Sequence, residues 1–131
     1  MIEMVHCLKA LADENRLRIL MLLRERELCV FELMGVLDLS QPLISSHLSV
    51  LREAGLVLSR REGKRMRYAL STAAKTGGKV GIVRIVAESL EGEAAVRKDR
   101  KRLAACASFR NEAGACDRRA VEHFRGAEVR S

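Results

Sequence analysis

The fold is decided by one stretch of the chain, Ser40-Gln41-Pro42-Leu43-Ile44-Ser45-Ser46-His47-Leu48-Ser49-Val50-Leu51-Arg52-Glu53-Ala54-Gly55. Ile44, Leu48 and Leu51 recur at the spacing of one or two helical turns and form a single apolar stripe. Ser40 is a favourable N-cap residue, and Gly55 is typical of the position just after a helix. The stretch therefore predicts an amphipathic helix that packs on a core through this stripe.

The outward face of this helix has an unusual composition. Its side chains are short or carry an amide or guanidinium group, and none of them is an acid: Gln41, Ser45, Ser46, Ser49 and Arg52. Such side chains can meet the edges of bases and the phosphates of a nucleic acid. The alternative is an ordinary amphipathic helix with a serine-rich exterior.

Three further helices are predicted before this one, over residues 2–12, 14–24 and 29–37. The middle one is apolar nearly all round, which places it in the centre of the domain. Between the last of them and the stretch quoted above lie only Asp38-Leu39-Ser40. Two helices joined by so short a turn, the second with a polar outer face, indicate a helix-turn-helix.

The chain then changes to a strand pattern. Residues 56–61 and 65–70 are extended runs around Gly63, which predicts a hairpin. The hairpin is strongly cationic through Arg60, Arg61, Lys64, Arg65 and Arg67. Charged runs are often solvated faces, but this one directly follows a recognition-type helix. We therefore expect contacts with phosphates, with Arg60, Arg61, Lys64 and Arg65 as the binding residues.

The remaining chain is predicted to hold two helices and a tail. Residues 71–78 read as a loop and residues 79–90 as a helix that buries Val80, Val83, Ile85, Val86 and Leu90. A second helix is expected from residue 93 to about Cys106, followed by a partly ordered tail. The fold class is thus mainly α with a small β-hairpin. The family resemblance given below implies a winged helix-turn-helix, and with it we divide the chain into a DNA-binding and dimerisation domain (1–92) and a C-terminal segment (93–131).

Composition agrees with a compact protein that has a polyanionic partner. The 131 residues suffice for one domain, and a net charge of +7 with a pI of about 9.7 favours nucleic acid or an anionic membrane surface. No apolar run is long enough to span a bilayer and no signal peptide is evident, so a cytoplasmic location is expected. There the four cysteines should be thiols, and their spacing matches no zinc finger.

The order of elements and several motifs resemble the ArsR/SmtB family of winged-helix repressors. The resemblance covers roughly residues 5–92 and rests on the motifs at 8–20, 27–33, 39–42, 45–48, 51–57 and 61–64. It implies a homodimer built from the first and fifth helices. It also implies that the dimer binds a palindromic double-stranded operator and leaves it when a metal or another inducer binds. No enzymatic activity is expected.

The inducer site departs from the family pattern. The arsenic- and cadmium-responsive branches begin the third helix with Glu-Leu-Cys-Val-Cys, whereas this chain has Glu27-Leu28-Cys29-Val30-Phe31. The carboxylate and histidine site of the zinc sensors looks absent, since residues 79–91 offer only Glu88 and Glu91. His6, His47 and His123 are too scattered to rebuild that site and are interpreted as structural or solvated.

Soft thiols remain as the candidate ligands, and they suit arsenite, antimonite, cadmium or copper(I). We predict that Cys29, Cys106 and Cys116 bind arsenite or antimonite as the inducer, while DNA binding itself needs no cofactor. The chain must bend between Cys106 and Cys116, and Gly114 permits that bend. Cys7 on the first helix is interpreted as a small buried hydrophobe, with replacement of one of the three ligands as the alternative. Two alternatives stay open, a thiol-redox or persulfide switch and another soft-metal sensor.

The predicted mechanism is allosteric. Inducer binding at Cys29 would reach the recognition helix through the Asp38-Leu39-Ser40 turn and change the separation of the two recognition helices in a dimer. An enzyme with a nucleophilic cysteine is a poor alternative, because no phosphate-binding loop or C-x-x-C motif accompanies the thiols. A partner-binding module that uses the basic tail is a third possibility.

Overall fold

The computed structural model describes residues 1–113, with side chains up to residue 105. The helices and strands follow one another as α1 (Ile2–Leu11), α2 (Glu14–Glu25), β1 (Leu28–Cys29), α3 (Val30–Leu37), α4 (Gln41–Glu53), β2 (Val57–Glu62), β3 (Arg65–Leu70), α5 (Thr72–Lys75), α6 (Val80–Leu90) and α7 (Ala94–Ala113). This order confirms the winged helix-turn-helix. No helix in the described part of the chain combines the length and the apolarity that crossing a membrane requires.

The centre of the domain is α2, as predicted. The Asp13 carboxylate accepts a hydrogen bond from the Arg16 amide at 3.0 Å and so caps the first turn. Five consecutive residues, 19–23, are buried, which a helix tolerates only when other elements cover it on several sides. The core around it is aliphatic and includes residues from α1, α3, α4 and α6.

The recognition helix α4 begins and ends as predicted. The Ser40 hydroxyl accepts a hydrogen bond from the Leu43 amide at 3.4 Å. Ile44, Leu48 and Leu51 are each at most 1% exposed, so the apolar stripe is fully used in packing. Asp38 adopts a left-handed conformation (φ 54°) at the end of α3, which turns the chain sharply into α4.

Beyond α4 the chain passes Gly55 at φ +75°, a conformation that favours glycine. The Lys79 ammonium lies against this glycine and donates a hydrogen bond to the carbonyl oxygen of Ala54 at 2.7 Å. A side chain at position 55 would need that space, since its Cβ would come within 2.6 Å of Lys79 Nζ. The last turn of α4 is therefore tied to the residue that precedes α6.

The sheet has three antiparallel strands in the order β1-β3-β2. The predicted hairpin is confirmed, and β2, β3 and their turn (residues 57–70) are called the wing below. The third helix was predicted to begin at residue 29, but Leu28 and Cys29 form a short strand that pairs with Tyr68 and Arg67 of β3. The start of the helix-turn-helix is thus joined to the wing by backbone pairing.

Some local predictions were wrong. Residues 71–78 contain the short helix α5, because the Ser71 hydroxyl accepts from the Ala74 amide and caps a turn. Ile85, expected to be buried, is 66% exposed, and Val5 and Leu8 on the apolar side of α1 are 41% and 53% exposed. Apolar periodicity marks a face that avoids water, but the described residues leave these three side chains uncovered.

The C-terminal helix α7 continues past the predicted end to Ala113. The segment lacks apolar periodicity, but alanine, arginine and glutamate favour helix without it. Val96 and Leu103 are each 4% exposed; Val96 packs with Met21 of α2 and Ala87 of α6, and Leu103 belongs to the main core. Residues 114–131, including the predicted bend at Gly114, lie outside the described residues, and the division into segments 1–92 and 93–131 stays a prediction.

Candidate nucleic-acid interface and thiol site

The outer face of α4 presents the side chains predicted to meet nucleic acid. Gln41, Ser45, Ser46 and Arg52 are exposed, and Ser49 is half-buried. The opposite face of the helix is fully packed, so these side chains stand on a rigid support. Arg52 also reaches the wing, where its Nη1 donates a hydrogen bond to Ser59 Oγ at 3.4 Å.

The wing cations fall into two groups. Arg60 pairs with Glu27 at 2.6 Å and with Glu62 at 3.7 Å, and Arg67 pairs with Glu62. Among the described residues Arg61, Lys64 and Arg65 have no acidic partner. Arg61 and Lys64 are exposed and Arg65 is half-buried. These three cations, rather than the predicted set with Arg60, carry charge that no neighbouring carboxylate compensates.

His47 has a structural position. Its side chain is 9% exposed, and its Nδ1 lies 3.4 Å from Arg16 Nη1. Arg16 also donates to the carbonyl oxygens of Ala10 at 2.7 Å and Lys9 at 3.1 Å. One guanidinium of α2 therefore connects α1 with α4. His6 is exposed, and His123 lies outside the described residues.

Cys29 occupies the junction of β1 and α3. It is 3% exposed, and its backbone N–H donates to Glu32 Oε1 at 3.2 Å, which caps α3. Cys29 was predicted to be a thiol, but its sulfur is disulfide-bonded in this structure. Cys7 is not its partner, because Cys7 is a free thiol, fully buried as predicted, and burial raises its pKa.

Glu32 is the buried acid nearest to this cysteine. Its side chain is 1% exposed, and loss of hydration raises the pKa of its carboxyl, opposed by the hydrogen bond from the Cys29 amide. The carboxyl group fixes the backbone of Cys29 at the beginning of α3. A change at the Cys29 sulfur is therefore adjacent to the cap of the helix that leads into α4.

Only part of the predicted three-thiol site lies within the described residues. Cys106 belongs to α7, but its side chain and the whole of Cys116 lie outside the described residues. Among the described side chains no three histidine, cysteine, aspartate or glutamate residues come together as a metal site. Glu91 is engaged elsewhere: Arg100 Nη2 lies 2.7 Å from its carboxylate and lowers its pKa.

Sequence reasoning missed the attachment of α7 to the domain. Arg18 Nε and Nη2 donate to the two carboxylate oxygens of Asp99, each at 2.9 Å. Asp99 is 2% exposed. It is the one acid in the basic run 97–102, and that isolated position was the available signal.

Two arginine-to-carbonyl hydrogen bonds reinforce this attachment. Arg26 Nη2 donates to the Leu103 carbonyl oxygen at 3.0 Å, and Arg102 Nη2 donates to the Gly35 carbonyl oxygen at 2.9 Å. The first runs from the end of α2 to α7, and the second from α7 to α3. Both the rotation and the axial position of α7 are thereby fixed relative to the elements that flank Cys29.

Comparison with known proteins points to one family. Residues 13–59 match the family described as bacterial regulatory protein, arsR family. The chain is 54% identical over 68 residues to the arsenical resistance operon repressor of Escherichia coli K12, covering 51% of this chain and 58% of that protein. It is also 54% identical over 63 residues to an arsenic resistance transcriptional regulator of Pseudomonas putida, covering 47% of this chain and 49% of that protein.

A solved structure is similar over more of its length. Over the matched part, this chain is 41% identical in sequence to reduced HlyU from Vibrio cholerae N16961, with a TM-score of 0.56. The similarity covers 65% of this chain and 85% of that structure. By contrast, the chain matches only about half to three-fifths of the length of the two curated relatives.

Proposed function

The chain belongs to the arsR family of bacterial regulatory proteins, and from this premise we propose that it is a transcriptional repressor that binds a palindromic operator. The observation that carries the proposal is the juxtaposition of two surfaces. The polar face of α4 reads base edges in the major groove, while Arg61, Lys64 and Arg65 of the wing bind the adjacent phosphates. Arg52, hydrogen-bonded to Ser59, lies between the two surfaces.

The operator-binding form is a homodimer. Its support is an apolar surface that the described residues leave exposed: Val5 and Leu8 on α1 and Ile85 on α6. The helix α6 is the fifth helix predicted from the sequence, so these are the two helices that the family resemblance assigns to the dimer. A dimer presents two copies of α4, and successive major grooves on one side of DNA lie about 34 Å apart. Repression therefore depends on the separation of the two copies.

The inducer is trivalent arsenic or antimony, bound by thiolates of Cys29, Cys106 and Cys116. Thiolates are the preferred ligands of soft ions, and two relatives are named for resistance to arsenic. Binding at Cys29 acts on two elements at once, because this residue both caps α3 and pairs with β3 of the wing. The effect of inducer binding can thus reach the DNA-contacting surface through the wing as well as through the predicted turn at residues 38–40.

The test is release of a fluorescent operator by arsenite, antimonite, cadmium, zinc and a persulfide, repeated on each single Cys→Ser variant. Arsenite and antimonite are expected to release the wild-type protein. Replacement of Cys29, Cys106 or Cys116 should abolish release, and Cys7→Ser serves as the matched control that still responds. A full arsenite response of Cys29→Ser would exclude this site.

A thiol-redox repressor is the second candidate, and a specific observation favours it: Cys29 is disulfide-bonded. The similar Vibrio cholerae protein is described in a reduced form. In such a switch two thiols lose two electrons and two protons to hydrogen peroxide, which leaves as two waters while the S–S bond forms. A redox switch needs only one of Cys106 and Cys116, whereas the three-thiolate site needs both.

A further inference from the structure

The structure holds a cavity of about 310 Å³ whose lining includes neither a residue of α4 nor Cys29. Four elements, α2, β3, α5 and α6, contribute the lining residues Arg24, Leu70, Ala74, Lys75, Val80, Val83 and Arg84. We propose that this cavity is a binding site for a small organic anion, a carboxylate carried on an apolar body. The inference goes beyond the proposed function, because neither operator binding nor the thiol site uses these residues.

The buried part of the lining is apolar. Leu70, Ala74 and Val83 are 6%, 2% and 4% exposed, and Val80 is half-buried. Apolar surface of this kind favours a hydrocarbon group over water. Sites for small molecules have volumes of about 300–1,000 Å³, and this cavity lies at the lower end of that range. It therefore suits a single ring or a short alkyl chain.

The exposed part of the lining is cationic. Arg24, Lys75 and Arg84 are all exposed, and each comes from a different helix. In the part of the chain that the structure describes, none of the three forms an ion pair with a carboxylate. Three positive charges around one cavity repel one another and attract an anion. The lining thus combines an apolar interior with an entrance that selects negative charge.

Glu91 is the acid that the charge of Arg24 affects, and it is already occupied. The pKa of Glu91 is lowered first by its hydrogen bond with Arg100 and further by the charge of Arg24. Arg100 Nη2 donates to both carboxylate oxygens of Glu91, each at 2.7 Å. Glu91 is not a lining residue, so the positive charge at the cavity keeps its attraction for a ligand.

A second cavity provides a contrast. It has a volume of about 290 Å³ and is lined by Glu25, Arg26, Arg100, Leu103 and Ala104. Its cations already have partners, because Arg100 pairs with Glu25 at 3.1 Å and with Glu91, and Arg26 donates to the Leu103 carbonyl oxygen. Similar volume therefore does not make the two cavities equivalent, and the uncompensated charge belongs to the first.

The proposed dimer contact leaves this cavity accessible. Val80, Val83 and Arg84 are spaced by three and four residues and so lie on one side of α6. Ile85, the exposed residue assigned to the dimer, is two residues from Val83. At about 100° per residue it points about 200° away from Val83, to the other side of the helix. A ligand in the cavity and a partner subunit would contact different sides of α6.

Isothermal titration calorimetry of the full chain with octanoate and benzoate tests the site. Octanamide keeps the apolar body without the charge, and inorganic phosphate keeps a charge without the apolar body. We expect the two carboxylates to bind at least tenfold more tightly than octanamide or phosphate, and to bind more weakly as salt screens the cations. Equal affinities for octanoate and octanamide would overturn the selection of an anion.

Methyl NMR locates the bound carboxylate. Octanoate is expected to shift the methyl signals of Leu70, Val80 and Val83. Shifts confined to Val5, Leu8 and Ile85 would place octanoate on the proposed dimer surface and overturn the assignment. The absence of binding of both carboxylates, by calorimetry and by NMR, would overturn it as well.

Variants of the exposed cations test the role of charge without disturbing the core. Lys75→Gln and Arg84→Gln should each weaken octanoate binding by about threefold, and the double variant by about tenfold, because each removes one exposed ion pair with the ligand. Lys101→Gln, on the exposed surface of α7, is the matched control and should bind octanoate like the wild type. Unchanged affinity in the double variant would overturn the proposed site.

Discussion

Cys29 of β1 and Arg67 of β3 lie opposite each other in an antiparallel strand pair. The same cysteine is the N-cap of α3. A single residue therefore belongs both to the sheet that forms the wing and to the helix that precedes the recognition helix. A change at its sulfur is therefore adjacent to the wing on one side and to α3, the helix that leads into α4, on the other.

This position predicts that inducer changes the wing as well as the recognition helix. Hydrogen–deuterium exchange measured with and without arsenite should show altered amide protection in residues 65–70 and in α4. The change follows from displacement of β1, whose backbone pairs with β3. Cys29→Ser should show neither change, and an effect confined to α4 would argue against the route through the sheet.

The wing cations should differ in their effect on DNA binding. Arg61→Ala or Lys64→Ala is expected to weaken operator binding and to reduce the slope of log affinity against log salt by about one unit, since each removes one phosphate contact. Arg60→Ala should change the slope less, because Glu27 and Glu62 already compensate its charge. Equal slopes for all three variants would contradict the distinction between cations that have acidic partners and cations that have none.

The uncovered apolar residues should control assembly. Ile85→Glu and Leu8→Glu place a charge in the proposed dimer contact, so both should shift the protein to monomer and lower its operator affinity. Sedimentation velocity measures the change. Leu58→Glu is the control, because Leu58 is 41% exposed but lies on the wing. If both test variants remained dimeric, the dimer contact would have to lie elsewhere on the surface.

The cap of α2 predicts a pH dependence of stability. The hydrogen bond from the Arg16 amide lowers the pKa of Asp13, so its stabilisation is complete above the pKa of the unfolded chain. It is lost as pH falls through the lower folded pKa. Asp13→Ala should reduce the free energy of unfolding by about 1 kcal/mol at neutral pH and by less in acid. Asp13→Ser keeps a hydrogen-bond acceptor, so it should retain most of the stabilisation from the cap, as measured by urea titration.

The buried ion pair of α7 has a measurable energy. Asp99→Asn should cost about 2–3 kcal/mol, below the cost of breaking a fully buried pair, because Arg18 keeps some contact with water. The Arg18 side chain is 21% exposed. A double variant, Arg18→Met with Asp99→Leu, should recover much of the loss since no unpaired charge remains. If thermal denaturation showed that the double variant loses as much stability as the two single variants together, this explanation would be wrong.

The sequence predicted those features that are encoded locally. The stripe of Ile44, Leu48 and Leu51 and the turn at Gly63 follow from periodicity and backbone preference over a few residues. The strand pair of Cys29 with Arg67 and the ion pair of Arg18 with Asp99 join positions far apart in the chain. Neither leaves a periodic pattern. The isolated acid at Asp99 is a signal for a paired position, but it does not identify Arg18 as the partner.

Ile85 illustrates a different limit. Its apolar side chain was predicted to be buried, but it is 66% exposed in the single chain. Periodicity identifies which side of a helix avoids water, whereas it does not distinguish the interior of one chain from a contact between two. The thiol site has a related limit, because spacing alone does not show which side of α7 meets α3.

The hydrogen bond from Lys79 to the Ala54 carbonyl joins the last turn of α4 to the residue before α6. In a dimer built on α6, the two copies of the recognition helix α4 cannot move apart unless α6 moves with them or this bond breaks. In the proposed dimer this hydrogen bond is one restraint on the separation of the two recognition helices, and so on the half-site spacing that the protein would accept. Each extra base pair between half-sites adds about 3.4 Å and a rotation of about 34°, a strain that would fall on Lys79.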